Sequence, residues 1–102
     1  MNDQEQFALL KNFFSGYFHE DWPCEAESTD AVARLYIASA QSTESLSLAT
    51  AILKYSDRFE TDEALEENLF SELGCYYRPS LEGLSAKAWL ERIANLLRGT
   101  HV

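Results

Sequence analysis

Residues 72–90 read ELGCYYRPSLEGLSAKAWL. Whether this stretch is a catalytic loop, a metal site or a packed corner decides how the chain is understood. Upstream of it, Leu65, Leu69 and Leu73 recur every four residues, the spacing of one buried helix face. Thr61 stands where that helix needs a cap, and Gly74 where it would close in a left-handed turn. Pro79 and Gly83 then punctuate a short connection. Ser85 can cap a further helix, in which Trp89, Ile93, Leu96 and Leu97 share a face and Gly99 ends the run. The stretch reads as a packed corner between two helices, with Tyr76 or Tyr77 laid across the core. In this reading it positions a binding surface more than it forms one.

The same helical period extends outward. Phe7, Leu10, Phe14 and Tyr17 make one stripe, with Asp3 as a cap and Gln6 three residues on, in the capping-box position. Gly16 loosens the end of that helix, and Pro23 predicts no helix through residues 22 and 23. Ser28 or Thr29 can start the next helix, with Asp30 in a first turn that favours an anion. Its inner face reads Val32, Leu35, Tyr36 and Ser39. The polar run QSTES, residues 41–45, separates it from a stripe of Leu48, Ile52, Tyr55 and Phe59. Only CYY and LYIA have strand character, and neither alternates. There is no internal repeat and no linker. The sequence predicts an all-α protein, a single compact bundle of about five helices over residues 1–102.

Composition limits the function. An apolar fraction of 46% and thirteen aromatic residues can build a core without disulfides or metal. Net charge is −9, from 17 acids against 8 Lys and Arg. Direct binding of nucleic acid needs a cationic surface, so it is not expected; nor is binding to an anionic membrane. A basic protein partner, or a merely solvated surface, fits the charge. No run approaches the about 20 apolar residues of a membrane span. MNDQEQF lacks the basic and apolar regions of a signal peptide. A cytoplasmic location follows as the expectation, with Cys24 and Cys75 as free thiols.

No arrangement of reactive residues argues for an enzyme. His19, Cys24, Cys75 and His101 do not pair at zinc-ligand spacing. Cys75 with His19 could form a nucleophile pair, but the neighbours of Cys75 are mostly aromatic, which makes a thiol inert. Glu20 and Asp21 are adjacent in a loop and point apart. No phosphate cradle is present, so no cofactor and no metal are expected. The acids are more informative. Between Asp57 and Glu72 there are seven acids and one base, Arg58. Glu63 and Glu67 form a like-charge pair one turn apart, which costs a few tenths of a kcal/mol, about 0.2–0.5. That cost is accepted either on a plain solvated face or on an anionic patch kept for a cationic partner. A second group, Glu20, Asp21, Glu25 and Glu27, follows the first helix.

YFHEDW at 17–22 followed by the 72–90 stretch resembles the immunity proteins (CdiI-type) of bacterial contact-dependent growth inhibition systems. In that family a Tyr-Phe-His-(Gln/Glu)-Asp-(Trp/Phe) turn ends the first helix. A Leu-Gly-Cys-x-Tyr segment with Pro and Gly-Leu, and then a Trp-Leu helix, come near the end. Arg78 departs from the pattern, where an acidic or small residue is the norm. The resemblance implies an inhibitor rather than an enzyme. Its partner would be a cognate C-terminal toxin domain, a basic nuclease with ribonuclease preferred to deoxyribonuclease, bound as one monomer in a heterodimer. The acids Glu20, Asp21, Glu60, Asp62, Glu63, Glu66 and Glu67 are then the expected toxin-facing set, covering the active site. A small acidic secretion chaperone or adaptor is the alternative. It would be a dimer with an apolar groove for an unfolded segment.

Overall fold

A computed structural model of the chain describes residues 3–99, excluding the side chain of Asp3. The expected cap at Asp3, and His101, therefore lie outside the described residues. Six α-helices follow one another: α1 (Asp3–Tyr17), α2 (Trp22–Glu25), α3 (Thr29–Ser39), α4 (Ser42–Ser56), α5 (Asp62–Leu73) and α6 (Ala86–Arg98). A 3-10 turn, Pro79–Glu82, stands between α5 and α6. No strand is present among the described residues, and CYY is irregular. The all-α bundle is as read, with five long helices and the short α2 in addition.

The helix boundaries obey local chemistry. Ser28, Thr61 and Ser85 each accept a backbone N–H three residues on, at 3.1, 3.1 and 3.3 Å. Gly74 closes α5 at φ +72°, where a side chain would be strained and its Cβ would meet Ser15 Cβ at 3.0 Å. Glycine at 74 thus suits both the left-handed turn and the close approach of α1.

α6 is the axle of the bundle. It packs on α3, α4, α5 and the 3-10 turn, while α1 packs on α4 and α5. Trp89, 2% exposed, meets the rings of Phe14, Phe18 and Tyr77 at 6.2, 5.3 and 4.7 Å. Leu65, Leu69 and Leu73 of α5, Leu48 and Ile52 of α4, and Ile93 and Leu97 of α6 complete the core.

Four details differ from the sequence reading. Pro23 lies within the first turn of α2 rather than preventing a helix. A helix start has no use for its missing N–H, so proline is tolerated there. α3 is rotated: Val32 and Ala33 are buried, and Leu35 is 49% exposed. Tyr36 sets that rotation by packing on Phe13 and Tyr17 at 5.2 and 5.5 Å. Residues 42–45 of the expected polar break are the first turn of α4, where Gln41 N–H donates to Glu44 at 2.9 Å. Phe7 is on the rim of the α1 stripe; Leu10 and Phe14 are buried as read, and Phe13 in the helix and Phe18 just after it are buried in addition.

Candidate partner-binding surface

The corner is built from the inside out. Cys75 is fully buried and its thiol points at the Tyr77 carbonyl, 3.5 Å away. Burial pushes the thiol up to about 12, so it is protonated and inert at neutral pH. His19 is occupied elsewhere: its Nε2 lies 3.1 Å from the Glu25 carboxylate, and its Nδ1 accepts the Asp21 N–H at 3.1 Å. The Cys75–His19 pair is thus not assembled. Cys24 is exposed. In the native protein one thiol should react promptly with a water-soluble disulfide reagent and a second only after denaturation. Two equally fast thiols would show that Cys75 is not enclosed. Among the described residues, no three His, Cys, Asp or Glu side chains are grouped to hold a metal.

Beyond Cys75 the chain is pinned at every step. Tyr76 N–H donates to the Phe18 carbonyl at 2.8 Å, which joins the YFHEDW turn to the corner. Tyr77 turns inward, 6% exposed, and its hydroxyl donates to Glu82 at 2.5 Å. The phenol is raised well above its ordinary range, first by burial and then by that carboxylate. Of the two tyrosines, Tyr77 is the one laid across the core.

Glu66 holds the turn. Its carboxylate accepts the Ser80 N–H at 2.9 Å and the Ser80 hydroxyl at 2.7 Å, and Arg78 lies 3.6 Å away. Arg78 also lies 3.9 Å from Glu67 and rests over the Phe70 ring at 4.9 Å. Glu66 is 9% exposed, so it belongs to the inner face of α5 and not to a solvated patch. The spacing held a hint of this, since on a helix residue 66 falls about 20° beyond Leu73, at the edge of the apolar stripe. Asp62 is half-buried and accepts the Lys87 N–H at 3.3 Å, tying the start of α5 to α6. Glu60, Glu63 and Glu67 are exposed, and so are Glu20 and Asp21 just beyond α1. Of the seven acids singled out, five face solvent and two hold the fold.

The sequence reading missed an apolar display on the same corner. Leu81 is 81% exposed, Tyr76 48%, Leu84 45% and Phe70 37%. The Phe70 and Tyr76 rings meet edge to face at 5.1 Å. Beside Leu84 opens a groove of about 890 Å³ between the start of α3, the corner and α6, lined by Trp22, Tyr77 and Trp89 among others. Arg92 spans it to Asp30 with two bonds of 2.8 and 2.6 Å. That bond holds the Asp30 carboxyl below the usual carboxylate range. Asp30, read from the sequence as a partner of the helix N-terminus, is also the link from α3 to α6.

A small helical bundle with an enclosed thiol presents a braced, partly apolar, partly acidic surface, the make-up of a face that can hold another protein. The family model for the CdiI immunity protein matches residues 6–97, and the chain belongs to that family. It is accordingly an inhibitor and not an enzyme. A chain of the crystal structure of a CdiA-CT/CdiI complex from Y. kristensenii 33638 has a similar fold, with a TM-score of 0.81 at 24% identity. The match covers 95% of this chain and 98% of that one. Among curated proteins, none matches the chain. No described helix is long and apolar enough to cross a membrane.

Proposed function

We propose that the protein binds and neutralises a cognate toxin domain of the CdiA-CT kind in the cytoplasm of the cell that makes it. Membership of the immunity family over residues 6–97 carries this reading. The fold relative seen in a toxin–immunity complex supports it. We propose further that the toxin is a basic nuclease, a ribonuclease in preference to a deoxyribonuclease, bound one to one. A net charge of −9 supports that part, because a cleft that holds phosphates must itself be cationic. The exposed acids Glu60, Glu63 and Glu67, with Glu20 and Asp21, would face that cleft and exclude its substrate. Asp62 and Glu66 act in the same surface by holding α5 and the corner in place.

The test is to mix the purified protein with its cognate CdiA-CT-type toxin domain, following complex formation and nuclease activity. Combined reversal of Glu60, Glu63 and Glu67 to Lys should leave helix content intact, since all three are exposed. Association at low salt should slow by about one to two orders of magnitude, with a flatter dependence on salt. Unchanged association at every salt concentration would reduce the acids to a solvated surface.

A further inference from the structure

We infer that the turn Pro79–Gly83 is the mechanical anchor of the interface, its Leu81 side chain seated in an apolar pocket of a folded, cationic partner domain. The inference rests on the toxin-binding reading above and adds the element that holds the complex together.

An exposed leucine by itself means little. Leu81 differs in how firmly it is presented. Pro79 is buried, Ser80 donates two bonds to the Glu66 carboxylate, and Leu81 N–H donates to the Arg78 carbonyl at 3.1 Å. Gly83 N–H donates to Ser80 at 3.1 Å and Leu84 N–H to Pro79 at 3.0 Å. Residues on both sides of Leu81 are therefore fixed, while its own side chain is left to water at 81% exposure. A buried carboxylate is committed to bracing a turn whose tip side chain is left largely to solvent. Presentation of this kind lowers the ordering cost of binding, because the loop is already in its bound shape.

The surroundings match an interface centre. Leu84, Tyr76 and Phe70 are exposed on the same corner, and apolar and aromatic anchors inside a polar rim are the usual anatomy. Two exposed acids, Glu67 and Glu82, flank the turn against one half-buried cation, Arg78, 3.9 Å from Glu67, and the whole chain carries −9, so the pocket that receives Leu81 is rimmed by basic side chains. A second copy of this chain is the poorer occupant. A two-fold contact would set the same acids against themselves.

Leu81→Ala and Leu81→Asp test this directly, because a side chain this exposed can be changed without unfolding the protein. Both variants should keep the parent's circular dichroism and melting temperature. Against the toxin domain, their association rates and salt dependence should stay within about threefold of the parent. Dissociation should accelerate about 30-fold for Leu81→Ala, the factor that defines a hot spot, and more for Leu81→Asp. If the parent binds toxin and Leu81→Asp dissociates as slowly, the anchor is overturned and the toxin-binding reading stands. A parent that leaves the toxin free overturns both. Self-association of the parent that Leu81→Asp abolishes would assign the turn to a second copy and likewise overturn the inference.

Discussion

Trp89→Ala should cost about 3–5 kcal/mol, the range for truncating a buried large aromatic. The side chain is 2% exposed and sits where α1, the corner and α6 converge. Its removal would leave Phe14, Phe18 and Tyr77 facing a void. The indole N–H also donates to the Thr29 hydroxyl at 3.1 Å, so the start of α3 would lose a tether. A domain of this size has only about 5–15 kcal/mol in total. The denaturant midpoint should therefore fall steeply, and protection against the toxin should fail through unfolding. A Trp89→Ala protein with the parent's midpoint would show that the aromatic cluster is not the keystone of the core.

Glu66→Ala should be the next most damaging change, at about 2–4 kcal/mol. Removing it leaves the Ser80 N–H and hydroxyl without their acceptor and Arg78 without its nearest carboxylate. The effect should be concentrated at one place. Hydrogen exchange at the Ser80 amide should accelerate well before α4 or α6 is affected. Glu66→Gln, which keeps one acceptor oxygen, should lose less. Equal stability and equal Ser80 protection in Glu66→Ala would mean that the turn holds itself.

The sequence disclosed the helices wherever two independent signals agreed. Thr61 and Ser85 are caps followed by apolar stripes, and Gly74 and Gly99 are stops, as read, while of the two candidates Ser28 and Thr29 it is Ser28 that caps α3. It misplaced the inner face of α3 because periodicity gives the spacing of a stripe but not its rotation. That rotation is set by Tyr36 against α1 and by Asp30 reaching Arg92, 62 residues away. Glu66 escaped for a related reason. A carboxylate on an apolar stripe looks like an intrusion until its partner is known, and Ser80 lies on another element. Leu81 escaped because exposure is the outcome of packing elsewhere and leaves no mark in local pattern.

The Phe18 carbonyl bonded to Tyr76, and Trp89 seated against Phe14 and Phe18, make the beginning and the end of the bundle parts of one core. On the ribosome this has a consequence in time. A nascent chain that has emerged only as far as α5 has its cluster of phenylalanines but not the helix that covers them. Long-range closure of that kind cannot reward the chain early. The bundle must ripen as a whole after α6 is made, and each new molecule offers no shelter until its synthesis has passed that point.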